Sequence, residues 1–227
     1  MNDIVLDIYN ANKLIMRAVD LPNLHHSNGT IKYDCSIWAN EFAMMMNNDF
    51  ESVSSTLLIP NIGIHTYKNA GFLVNLDLAL VQHIAISDSG SNGSYANGDF
   101  NANIADYNTI EQLSEYIKQN NHTTMNEVNL AIPINSVVGL VQVKCNNKLI
   151  HLKRMIIVKE CIYQLTGINF DIYEYDMDQG NITKINLTDE LLKRISEIPN
   201  DVNNFDYWTD YSDELYEGSI SKKEFNR

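Results

Sequence analysis

From Cys35 onward, apolar side chains return every three to four positions. Trp38, Ala39, Phe42, Met45 and Met46 share one face of a helix, while Asn40, Glu41, Asn47 and Asn48 lie mostly elsewhere. Asp34 can cap this helix by accepting a hydrogen bond from a free backbone N–H. Upstream, Ile4, Val5, Ile8, Leu14, Ile15 and Val19 predict a first helix over residues 3–19, with Pro22 blocking its continuation. The polar "NLHHSNGTIKY" between them reads as a turn-rich connection. Downstream, "STLLIPNIGI", "GFLVNLDLALV" and "HIAISDSG" are rich in branched aliphatics and predict strands. "DSGSNGSYANGD" reads as a long turn, and "NTIEQLSEYIKQNN" as a helix capped by Asn108 or Thr109.

After residue 122 the pattern changes. "VNLAIPI" predicts a strand, and "VVGLVQVK" and "KLIHLK" predict a hairpin turning at "CNN". "RMIIVKECIYQLTG" then predicts a helix ending at Gly167. A second hairpin, "FDIYEYDMDQGNITKINL", and a helix opening at Thr188 with an acidic first turn complete the series. The fold class expected is α+β, with a C-terminal extension that is itself α+β. With no long linker, the division expected is a core over residues 1–121 and a C-terminal extension over 122–227, separate or continuous with it.

The 227 residues suffice for one sizeable domain, and 44% hydrophobic content with 4 Pro and 10 Gly is that of a globular chain. The formal charge of −13 disfavours nucleic acid and anionic membrane surfaces, which are bound through basic residues. Much of the acidic excess lies in residues 201–217, where acids alternate with aromatics, a segment read as a solvated tail rather than a docking strip. The N-terminus carries acids where a secretory leader needs basic residues, and no apolar run approaches the roughly 18 residues of a membrane span. The expectation is a leaderless chain with no membrane insertion. Three cysteines, Cys35, Cys145 and Cys161, lack paired-ligand spacing, so neither a disulfide framework nor a zinc site is indicated. The pair His25 and His26 has no companion ligands either, and no metal or other cofactor is implied.

A cysteine beside an apolar helix face is ordinarily a small core residue. Three features set Cys35 apart. It would occupy a first helical turn, where free N–H groups and the dipole favour a thiolate. Its neighbours Asp34 and Ser36 are polar, and His83 opens the apolar run "HIAIS" as a candidate base. A lone histidine in a strand is more often a partly buried, hydrogen-bonded side chain, and only its conjunction with Cys35 makes His83 a candidate base. Cys145, placed in a hairpin turn, and Cys161, inside a helix, read as structural.

"YDCS" at residues 33–36 resembles the aromatic-Asp-Cys-Ser opening of the catalytic helix in NlpC-type papain-like cysteine peptidases, which cleave bacterial cell-wall peptides. "HIAISDSGSNG" resembles that family's histidine strand and Gly/Asn turn, "NAGFLV" its preceding strand entry, and Pro22 stands thirteen residues before Cys35 as the family's proline does. The resemblance spans roughly residues 10–100. It implies a papain-like core with a catalytic helix on an antiparallel sheet, Cys35 as nucleophile and His83 as base. It also implies a third residue orienting the imidazole, which spacing places near Tyr95, with Asn97 or Asp99 as alternatives; Asn97 is chosen because amides serve that role in papain-like enzymes. Asp34 and Ser36 would border the substrate.

The implied reaction is attack of a Cys35 thiolate on an amide carbonyl of a peptidoglycan stem peptide, with backbone N–H groups holding the oxyanion. A leaderless enzyme of this kind implies a secreted antibacterial effector or toxin, delivered to a target cell's periplasm and neutralised by an immunity protein. Ile37 replaces the family's Gly after Cys-Ser, Asn23 its substrate-binding Tyr, and the Gly-Gly pair is absent near His26 and Ser27. These departures favour the alternative of a protease, deamidase or acyltransferase acting on host proteins in the host cytoplasm. A third reading is a non-enzymatic interaction module in which Cys35 is buried and inert.

Overall fold

A computed structural model describes residues 3–27, 30–46, 52–66, 68–86, 109–146 and 148–198, with the backbone alone for 23–27 and 30–33. The elements in chain order begin with α1 (Ile4–Asn10), β1 (Leu14–Val19), the ribbon strands β2 (Asn23–Ser27) and β3 (Thr30–Asp34), and α2 (Ser36–Met46). β4 (Ser52–Leu57), β5 (Ala70–Asn75), a 3-10 turn at Leu78–Leu80, β6 (Val81–Ala85) and α3 (Ile110–Asn120) follow. The remainder is β7 (Glu127–Ala131), β8 (Val137–Val143), α4 (Lys148–Thr166), β9 (Ile172–Asp176), β10 (Asn181–Lys184) and α5 (Asp189–Glu197).

Eight strands form one sheet in the order β10-β9-β8-β5-β1-β4-β7-β6. All pairings in it are antiparallel except β8 with β9, which run parallel and need a crossover; α4 supplies it. The protein is therefore α+β, with a mostly antiparallel sheet. Strand alternation divides the core into two layers. On one face Ile15, Leu57, Phe72, Leu130 and Leu140 meet α2, α3, α4 and α5; on the other Leu14, Met16, Leu73, Val141 and Tyr175 meet α1. α2 is fixed to the sheet twice. Trp38 is wholly buried, its ring 4.9 Å from that of Phe72 and its Nε1 donating to the Asp20 carbonyl at 2.8 Å. Arg17 on β1 grips Glu41 with Nε and Nη2, at 3.0 and 3.2 Å, while Nη1 donates to the Ser54 carbonyl at 2.9 Å.

Several expected elements change. Residues 3–19 are not one helix: α1 stops at Asn10, Asn12 turns the chain at φ 56°, and Leu14–Val19 is a central strand. Leu14, Ile15 and Met16 are buried in succession because both faces of β1 are covered, a pattern periodicity cannot tell from a buried helix. The connection "NLHHSNGTIKY" forms most of the β2–β3 ribbon. "KLIHLK" is the first turn and a half of α4 rather than a strand, since Leu149, Leu152 and Met155 bury at helical spacing into the next segment. The strands also cross residue 121: β7 lies between β4 and β6, and β8 beside β5, so residues 122–198 complete the same sheet.

Candidate functional site

Cys35 immediately precedes α2, one position before the first helical turn in which the sequence pattern expects it. Asp34 Oδ1 accepts from the Ser36 N–H at 2.9 Å, so Asp34 serves the helix start, and both side chains are exposed. Cys35 is half-buried and packs against the helix-side core. Its thiol meets that of Cys161 on α4. Burial first, and then Cys161 and the nearby Asp34, push its pKa up to about 12. Desolvation and a second thiol thus outweigh the helix dipole, and Cys35 is held protonated at neutral pH.

His83 lies elsewhere. It pairs with Asn129 across β6 and β7, while its neighbour Ile84 pairs with Val128. Ile84 and Val128 belong to the helix-side core that receives Cys35, so alternation turns His83 and Asn129 to the opposite face. β6 is also the edge strand, three positions from the β1 on which α2 packs, a lateral separation of about 14 Å at the usual strand spacing. The structure does not bring Cys35 and His83 together. Asn97, with its alternatives Tyr95 and Asp99, lies outside the described residues, as does the acidic segment 201–217.

A different thiol meets an imidazole. Cys145 Sγ lies 3.0 Å from His151 Nδ1, both half-buried, where β8 ends and α4 begins. Burial first, and then the Arg154 guanidinium, lower the pKa of His151 to about 4, so the ring is neutral at pH 7. Beside them, Lys148 Nζ donates to Glu174 Oε1 at 2.7 Å, and the wholly buried Gln142 donates to Glu174 Oε2 at 3.3 Å. Expecting Cys145 in a hairpin turn missed this contact. A strand over "KLIHLK" carries His151 away from Cys145, whereas a helix opening at Lys148 folds it back; the signal was the 3–4 spacing of Leu149, Leu152 and Met155.

Two cavities of about 430 and 220 Å³ lie apart from these thiols. The first is lined by Asn12, Lys13, Glu111, Ser114 and Lys118, the second by Arg17, Ser54, Ser55 and Glu127. Among the described residues no cluster of three or more His, Cys, Asp or Glu side chains could hold a metal ion, and no helix is long and apolar enough to cross a membrane. Comparison with protein-family models and with curated proteins finds no match to this chain.

Proposed function

We propose that this chain is a non-enzymatic interaction module that docks a protein partner bearing a basic surface. The observation that carries this reading is the setting of Cys35, whose sulfur is committed to Cys161 and held as a thiol, with His83 on the far side of the sheet. The net charge of −13 supports a basic partner, since complementary potentials steer and orient docking. Native protein exposed to iodoacetamide near neutral pH is expected to leave Cys35 unalkylated, and purified peptidoglycan incubated with the chain is expected to yield no new stem-peptide fragments by mass spectrometry. Selective alkylation of Cys35, or new fragments lost in Cys35→Ala, overturns the reading.

A second reading keeps the sequence resemblance: a papain-like amide hydrolase acting on peptidoglycan stem peptides, delivered as an effector and held in check by an immunity protein. It is favoured by one observation, that Cys35 stands directly before α2 with Asp34 at the helix start and α2 packed on a mostly antiparallel sheet. That enzyme would need a base other than His83 within reach of Cys35. Peptide-stem fragments released by the parent chain and not by Cys35→Ala are the result it requires. Fragments from host proteins instead would assign it to the protease alternative.

A further inference from the structure

Cys145 sits in the connection from β8 to α4, the crossover of the parallel pair. The positive amino end of a 19-residue helix meets it there, flanked by Lys144 and Lys148, each of which is paired with a carboxylate. A partly exposed thiol in such surroundings is the kind that reacts. His151 Nδ1, at 3.0 Å, accepts from the thiol when the ring proton is on Nε2 and so orients the sulfur. Lys144 is held by Asp176 at 2.8 Å and Lys148 by Glu174 at 2.7 Å.

We propose that Cys145 is a site of S-thiolation, where the sulfur exchanges with a small soluble disulfide, and that His151 is its positioning residue. The inference stands independently of either reading of Cys35. In the step, Cys145 gives up its proton to solvent and the thiolate attacks one sulfur of the disulfide; that S–S bond breaks, a new one forms to Cys145, and the displaced sulfur leaves as a thiolate that takes a proton from solvent. No other oxidant is consumed. The chemistry of the pair selects this reaction over amide cleavage. A departing amine needs a proton donor, which a ring kept neutral by burial and Arg154 is poorly suited to supply, whereas a thiol leaves without one. Cys35, protonated and facing a second thiol, has no such advantage.

The test exposes the reduced full-length chain to glutathione disulfide, quenches with acid and quantifies the mixed disulfide at each cysteine by peptide mass. Cys145 is expected to react about tenfold faster than Cys35 or Cys161, and in concentrated urea the three rates converge. His151→Gln slows Cys145 about fivefold or more and leaves Cys161 unchanged, the latter serving as the control for folding. Equal native rates, faster reaction at Cys35 or Cys161, or a Cys35–Cys161 disulfide formed ahead of any adduct at Cys145 overturns the assignment. A His151→Gln rate equal to that of the parent overturns the positioning role.

Discussion

His151 makes the stability of the fold depend on pH. Its folded pKa of about 4 lies below the ordinary 6.5, because the buried ring beside Arg154 resists taking a proton. The unfolded chain therefore binds more protons between those values, and stability falls as the pH drops from about 6.5 to about 4, by up to about 3 kcal/mol. Asp176, held below the ordinary carboxylate range mainly by its hydrogen bond with Lys144, adds its loss only at lower pH. Urea titrations at pH 7 and pH 4.5 should show this slope, and His151→Gln should flatten it; an unchanged slope refutes the assignment. The position of Cys35 was legible in the sequence because Asp34 and the spacing of Trp38, Phe42 and Met45 are local signals. Its chemistry was not, because the thiol it faces comes from the far end of α4 and the face of His83 is set by pairing with β7. Both are facts of tertiary register, to which a motif spacing is blind.

Gly180 joins β9 to β10 and shows how an element is locked to the body of the protein. Its φ is +60°, its carbonyl accepts from Tyr9 Oη at 2.5 Å and from the Asn61 N–H at 2.9 Å, and a Cβ there would stand 2.3 Å from the Ile62 backbone. Gly167, after α4, has φ +73°, but a Cβ there would meet nothing within 4 Å. Both positions carry the left-handed penalty of about 1 kcal/mol on gaining a side chain, and only Gly180 adds a backbone collision. Gly180→Ala should therefore cost about 2 kcal/mol more than Gly167→Ala in urea unfolding; equal costs would show that the loop at Ile62 simply yields. Elements with local stop and start signals were legible: α3 with its Thr109 cap, the β9–β10 hairpin, and α5 with Thr188 accepting from the Leu191 N–H. β1 and the start of α4 were not. Each is an apolar run whose type is decided by its distant neighbours, the two strands that pair with β1 in one case and the crossover demanded by a parallel pair in the other.

At the scale of the molecule, the strand order interleaves the two halves of the chain. β6 pairs with β7 and with no other strand of the described sheet, while β5 is held between β1 and β8. Phe42 on α2 rests against Phe170, which follows α4, with ring centroids 6.2 Å apart. Local patterning could place a boundary near residue 121 because the sequence texture changes there, but the order of strands depends on pairings between distant segments. A fragment of residues 1–121 would keep β1, β4 and β5 yet lose both β7 and β8, leaving β6 unpaired and the helix-side core open where α4 covers it. Such a fragment should lack a cooperative transition, its far-UV circular dichroism changing gradually with urea. The full chain should lose circular dichroism and tryptophan fluorescence together, as one sheet with a shared core requires. A sigmoidal transition in the 1–121 fragment would mean that the first half carries a self-sufficient core and that β7 and β8 are late additions to it.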